Sequence, residues 1–377
     1  MQRMLPPNLS TAAPSPLPPP SLAPLMRRRT ERVTYTVLIV ALIALTGILI
    51  LTGEVAAVQT FATVFLGIFI EAMPFVLIGA LVSACLGVFV RDETVMRLLP
   101  QGRVTGPLVG VMLGLIFPVC ECGVVPVTRR LLNKGASVGL GVSFLLASPV
   151  VNPIVLWSTW AAFGGDWRMV AARAGLTLAI AAIIGIVFAL HPHPQTLLKP
   201  APSTMGYAPI VLGEYMRGRT RTGGRSVRLA PMTRREAETA TMPQKLRAVC
   251  EHAAAEFFEM GKFLVIGGTL AAVLQAVIPR STLLATGQSP VRGVLVMIAL
   301  AVLLSVCSTV DAFVVLGFAS TFTTGAILAF LVFGPMVDIK STLMFLTVFE
   351  RRAVALTIAL AAALVLCVSL FINLNIV

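Results

Sequence analysis

Long uncharged runs dominate this chain, interrupted at intervals by short basic clusters. Apolar windows of about 18 residues or more recur near 34–53, 72–90, 135–165, 174–190, 263–279, 293–310, 312–337 and 353–377. One such run suits the core helix of a soluble domain, but a whole series of them does not. The pattern predicts an all-α polytopic membrane protein with eight to ten helices. The full crossings are expected near 34–53, 62–88, 137–161, 169–190, 256–278, 323–347 and 353–375. Two shorter segments, near 107–131 and 293–318, carry residues that break a helix and are expected to be interrupted.

Composition agrees with this pattern. Hydrophobic residues make up 57% of the chain and charged residues only 12%, with a mean hydropathy of +0.93. A soluble domain is nearer a quarter charged. The net charge of +13 is gathered in clusters at Arg27–Arg29, Arg129–Arg130, Arg217 to Arg247 and Arg351–Arg352. Such spacing marks the cytoplasmic side of a membrane protein and argues against a nucleic-acid partner. Residues 1–30 form a Pro-rich tail expected to be disordered, and they lack the features of a cleavable signal. A transmembrane half is expected at 31–190, a basic cytoplasmic linker at 191–250 and a second transmembrane half at 251–377. His191 and His193 are too few to suggest a metal site in the linker.

The halves repeat one another. Phe69-Ile70-Glu71 through Ile78-Gly79 shares the pattern Phe-x-Glu-x-x-x-Phe-x-x-Ile-Gly with Phe257 to Gly267, 188 residues later. Val119-Cys120 corresponds to Val306-Cys307, and Pro149-Val150-Val151-Asn152 to Pro335-Met336-Val337-Asp338. If the 107–128 segment enters the membrane and returns, and its counterpart does the same, every basic cluster falls on one side. The second half is then upside down relative to the first. Inverted repeats with broken or re-entrant helices characterise secondary transporters. The N-terminus is then cytoplasmic.

Chemistry concentrates at the interrupted segments. In Pro118-Val119-Cys120-Glu121-Cys122-Gly123, an acid lies between two thiols inside an apolar stretch, where an unpartnered charge is costly. Pro118, Gly123 and Pro126 are expected to interrupt the helix, so the segment lines an internal cavity. Cys120 and Cys122 there suit a thiophilic metal or metalloid as cargo, or else serve as small apolar fillers. In the second half Cys307, Ser308 and Asp311 take this place, and Asp311 has no basic neighbour in sequence. Glu71 and Glu259 are repeat-equivalent carboxylates for proton coupling or gating, with Lys262 positioned to pair with Glu259. Asn152 and Asp338 follow prolines in segments hinged by Pro149, Pro153 and Pro335, beside which polar groups are typical of midplane sites. Lys340 stands close enough in sequence to neutralise Asp338. Arg129, Arg130 and Lys134 are read as determinants of topology.

On Cys120-Glu121-Cys122-Gly123 and Ala147-Ser148-Pro149-Val150-Val151-Asn152-Pro153, the chain resembles a bacterial family of predicted permeases, the ArsP or UPF0718 family. The resemblance spans about residues 60–375. It implies a multi-pass protein of the bacterial inner membrane with two related halves. Some members of that family export trivalent methylated or aromatic arsenicals. Cys120, Glu121, Cys122, Gly123 and Pro126 match its first-half motif, and Cys307, Ser308 and Asp311 look like its second-half motif.

The absence of a Gly-x-x-x-x-Gly-Lys-Ser/Thr segment points to an ion gradient or a partner's ATPase as the driving force. The expected function is a secondary transporter exporting a small thiophilic solute, such as a trivalent organoarsenical, with protons and no resident cofactor. The rival reading is an intramembrane thiol–disulfide enzyme using Cys120 and Cys122. No motif specifies the cargo, the direction or the oligomeric state.

Overall fold

The computed structural model describes residues 55–90, 92–117, 120–199, 241–277 and 290–375. The crossing expected near 34–53, the tail 1–30, linker residues 200–240 and Pro118 lie outside the described residues. The elements are α1 (Val55–Phe89), α2 (Asp92–Leu98), α3 (Thr105–Ile116), α4 (Glu121–Asn133), α5 (Val138–Val151), α6 (Pro153–Ala162) and α7 (Trp167–Leu190). After a 3-10 turn at Pro194–Leu197 come α8 (Met242–Val277), α9 (Pro290–Leu304), α10 (Asp311–Leu316), α11 (Thr324–Met336), α12 (Ile339–Val348) and α13 (Arg351–Asn375). No strand occurs among the described residues, only an isolated bridge between Leu198 and Phe349.

Among the described residues, five helical stretches are long and apolar enough to cross a membrane, or six if the bent pair α11–α12 is one span. The protein is an all-α polytopic membrane protein. One difference from expectation concerns length. Helix α8 begins at Met242 rather than near 256, so the last stretch of the expected linker is helical. The 293–318 segment is divided after Leu304, in line with the interruption expected there.

The interruptions have local causes. Asn152 precedes Pro153, which excludes it from helical geometry, and it stands at φ −67°, ψ 153°. Pro153 then opens α6 as its first residue, where a missing N–H costs nothing. Asp338, at φ −127°, ψ −179°, divides α11 from α12, which are bent by 40°. Pro126 does not break the chain as expected. Helix α4 runs through it; the missing N–H withholds the helical donor from the Cys122 carbonyl, while the Ser83 hydroxyl donates to the Pro126 carbonyl at 3.2 Å.

Element by element, the second half follows the first: α8 corresponds to α1, α9 to α3, α10 to α4, α11 to α5, α12 to α6 and α13 to α7. The internal packing repeats as well. Gly139 at the start of α5 abuts Gly185 and Ala189 near the end of α7. Gly325 at the start of α11 abuts Ser369 and Asn373 near the end of α13. Gly114 rests on Ala147 and Ser148, and Gly334 on Ala301. The equivalent long helices α1 and α8 lie against each other antiparallel: Gly268 faces Phe65 and Ile68, while Ala84 packs with Val249 and Ala253.

Helices α3 and α4 run back along one another. Gly106 at the start of α3 lies against Ser137, just beyond the end of α4, so their outer ends lie together. The Lys134 ammonium reaches the Val90 carbonyl at the end of α1, and the Lys199 ammonium the Leu346 carbonyl. Arg129, Arg130, Lys134, Lys199, Arg351 and Arg352 are thereby gathered at one end of the bundle. The start of α4 at Cys120, the first tip, lies near Cys307 in the turn 305–310, the second tip.

Gly79 and Gly267 set how closely α4 and α12 approach the long helices. A methyl on Gly79 would lie 2.4 Å from the Gly123 Cα, and one on Gly267 would lie 2.9 Å from the Lys340 Cα. Gly123 therefore serves close approach inside a helix, not the loosening expected of it. Gly79→Ala and Gly267→Ala should each destabilise by about 1–3 kcal/mol, more than the roughly 1 kcal/mol gained in helix propensity. Gly67→Ala and Gly175→Ala, with nothing within 4 Å, should be neutral or stabilising. Thermal unfolding in detergent measures all four.

Candidate functional site

Cys120 is the N-cap of α4, Glu121 its first residue and Cys122 its second, so the two thiols straddle a helix start. The Cys120 thiol comes within hydrogen-bonding reach of the thiols of both Cys122 and Cys307. All three are buried and none is in a disulfide. Among the described residues, no group of three His, Cys, Asp or Glu side chains is arranged to hold a metal ion.

Beside the thiols, Glu121 is 2% exposed. Its Oε1 lies 3.5 Å from the Lys340 Nζ, and its Oε2 has no hydrogen-bond partner. The repeat-equivalent residue, Ser308, is fully buried, and its hydroxyl also lacks a partner. Orphaned polar atoms of this kind are uncommon in folded interiors and mark a place where something else binds. Here the two occupy the same position in the two halves, each next to the cysteine of its own tip.

Lys340 ties this centre to α12. Its Nζ donates to the Ser305 carbonyl at 2.7 Å and lies 3.3 Å from the Asp338 Oδ2. Asp338 caps α12, accepting from the Ser341 N–H at 2.5 Å, while the Ser341 hydroxyl accepts from the Asp338 N–H at 2.9 Å. Asn152 does the equivalent work for α6, accepting from the Val155 N–H at 3.0 Å. Both polar residues flagged at the helix breaks therefore act as N-caps, which satisfies donors that a broken helix leaves open.

Asp311 has no basic neighbour in sequence, and the structure brings it one from a distant segment. Arg173 of α7 grips it through two bonds, NH1 to Oδ1 at 2.9 Å and NH2 to Oδ2 at 2.6 Å. NH1 also donates to the Thr159 hydroxyl at 2.8 Å. Arg173 is wholly buried and its Nε has no partner. Glu259 likewise pairs with Arg129 at 3.1 Å rather than with Lys262, and Glu256 pairs with Arg130 at 2.5 Å. Glu71 accepts from the Thr309 hydroxyl at 2.9 Å. The two repeat-equivalent glutamates thus face different partners, one at the basic end and one at the second tip.

The sequence reading missed Arg173, Ser305, Thr159 and Thr309. Arg173 looked like the flank of an apolar run, although an Arg inside a predicted crossing is itself a signal. Ser305 gave no sequence cue. Its φ of 45° puts it in the left-handed region, which non-glycine residues rarely enter and which concentrates at functional sites.

Comparison with known proteins supplies the family. The predicted permease family ArsP_1 matches residues 57–374. The chain belongs to this family. The UPF0718 protein YcgR of Bacillus subtilis is 42% identical over 311 residues, covering 82% of this chain and 96% of that protein. A Streptococcus mutans protein named as a two-component membrane permease complex subunit is 32% identical over 289 residues, covering 77% and 87%. The UPF0718 protein YraQ of Escherichia coli is 27% identical over 116 residues, 31% of this chain and 32% of its own. No solved structure matches the chain. The chain is a membrane permease.

In this permease, Arg173–Asp311 is a buried pair whose partners come from opposite halves. Removing one partner of such a pair strands a charge and costs about 3–5 kcal/mol. Arg173→Ala or Asp311→Ala should therefore sharply lower folded yield and melting temperature. The paired change Arg173→Met with Asp311→Leu should recover most of the loss. Chromatography and thermal unfolding of all three distinguish a net structural tie from a charge retained for transport.

Proposed function

We propose that this permease is an ion-coupled secondary transporter that exports a small thiophilic solute, of which a trivalent organoarsenical is the leading candidate. The observation that carries this reading is the meeting of Cys120, Cys122 and Cys307 beside the unpartnered Glu121 Oε2 and Ser308 Oγ. An arsenic(III) centre exchanges an As–OH bond for an As–S bond at such a thiol, and the thiol proton, relayed by a nearby carboxylate, leaves with the hydroxide as water. The residues named in the second motif share the site: Cys307 and Ser308 face the cargo, while Asp311 holds the second tip through Arg173.

Among the described residues, the buried charged side chains comprise three carboxyls, Glu121, Asp311 and Asp338, against two cations, Arg173 and Lys340. A surplus negative charge in a membrane interior must be neutralised by a proton or by cargo. That alternation couples cargo movement to protons. The antiparallel packing of α1 against α8 supports an inverted repeat, and the matching glycine contacts in each half support the domain division. The gathered basic end supports a bacterial inner-membrane location with that end in the cytoplasm. Membership in the permease family favours transport over the thiol–disulfide enzyme. The name of the Streptococcus relative suggests that a second component acts with this chain.

The test is accumulation of trivalent methyl- and phenyl-arsenicals in everted vesicles, with and without a proton gradient. Wild-type vesicles should accumulate the solute only with the gradient. Cys120→Ser and Cys307→Ser should each lower uptake by roughly tenfold or more, as expected when one covalent ligand is lost. No accumulation of any soft species by folded protein would overturn the cargo. A change in thiol–disulfide state on turnover would favour the enzyme reading.

A further inference from the structure

The Lys340 ammonium lies among three oxygens contributed by both halves. They are the Ser305 carbonyl at 2.7 Å, the Asp338 Oδ2 at 3.3 Å and the Glu121 Oε1 at 3.5 Å. One is a backbone carbonyl turned out of its helix by a left-handed serine, and two are buried carboxylates at helix breaks. Unwound carbonyls and acidic side chains at helix interruptions are the ligands from which transporters build sites for a coupling cation. Here a positive charge already fills the place, and it is covalently attached to the chain.

We propose that Lys340 is a tethered replacement for a coupling cation, so that this permease needs no sodium or potassium ion at its centre. The claim rests on the reading of this centre as the coupling site of a transporter. Three observations support it. Lys340 is 2% exposed and its Nζ faces oxygen on several sides, so it is not a surface lysine folded inward. Its position suits cation binding beyond the pairing with Asp338, because Glu121 comes from the other half and keeps an unpartnered Oε2. The arrangement is also confined to one half. At the equivalent first-half break Asn152 replaces Asp338 and Ile154 replaces Lys340, so the acid and the lysine are present together or absent together.

A fixed ammonium has a consequence that a diffusible ion lacks. It cannot leave with the cargo, so it offsets one of the two carboxylates, Glu121 and Asp338, in every state and leaves the other to be balanced by a proton or by cargo. Small cations are thereby excluded as co-substrates. Removing the ammonium should convert the pocket into an ordinary monovalent cation site, because the three oxygens and the spare Glu121 oxygen remain.

Purified wild type, Lys340→Ala and Lys340→Met are compared by thermal unfolding in choline chloride, NaCl, KCl and methylammonium chloride at one ionic strength. Lys340→Met keeps most of the side-chain packing and serves where the alanine variant is not recovered. Wild type should melt at the same temperature in all four salts. A Lys340 variant should melt lower in choline. It should gain about 5 °C in at least one of the small cations at a hundredfold excess over its dissociation constant. Recovery of folded variant only in a small-cation salt also supports the proposal. Three results overturn it: variants that respond to no cation, variants recovered folded in none of the salts, or a wild type that sodium itself stabilises over choline. Because the readout is stability, failure of the arsenical assay leaves this test intact, and failure here leaves that assay intact.

Discussion

Non-helical backbone in the middle of an apolar bundle must find its hydrogen bonds inside the protein, since lipid offers none. The interior polar contacts of this permease largely answer that demand. Asn152 and Asp338 close the starts of α6 and α12. The Ser305 hydroxyl accepts the Ile339 N–H at 3.3 Å. Among the described residues seven buried side-chain atoms still lack partners, on Thr128, Trp160, Arg173, Glu256 and Thr323 as well as on Glu121 and Ser308. Glu121 and Ser308 differ from the others in occupying matching positions, each next in sequence to a buried cysteine.

Each tip is tied to the opposite half, but not equally. The second tip is gripped through Asp311 by both terminal nitrogens of a planar guanidinium, a geometry that fixes direction as well as distance. The first tip is held through Glu121 by a single ammonium contact at 3.5 Å, which Lys340 shares with Asp338. The paired contact therefore fixes an orientation at Asp311 that the ammonium does not fix at Glu121.

Much of this architecture was legible in the sequence because it depends on local pattern. Apolar length gave the spans, prolines and a Pro-x-x-Asn spacing gave the breaks, and the Phe-x-Glu repeat gave the correspondence of halves. Contacts between distant residues were not legible. Lys262 is three residues from Glu259 and was the natural partner by helix geometry, yet Arg129 arrives from α4, 130 residues away in sequence. Arg173 and Asp311 are separated by 138 residues, and nothing local to either announces the other. Pro126 shows the opposite error. A proline rule was applied to a position where surrounding side chains carry the helix through.

Helices α1 and α8 are 35 and 36 residues long. At 1.5 Å per residue each extends for roughly 50 Å, whereas the hydrocarbon core is about 30 Å thick. Even a steep tilt of 40° leaves each helix spanning about 40 Å along the membrane normal. The antiparallel pair must therefore extend beyond the hydrocarbon core by about 10 Å or more, into the headgroup layers. The ends of these two long helices are thus placed among polar headgroups rather than among acyl chains.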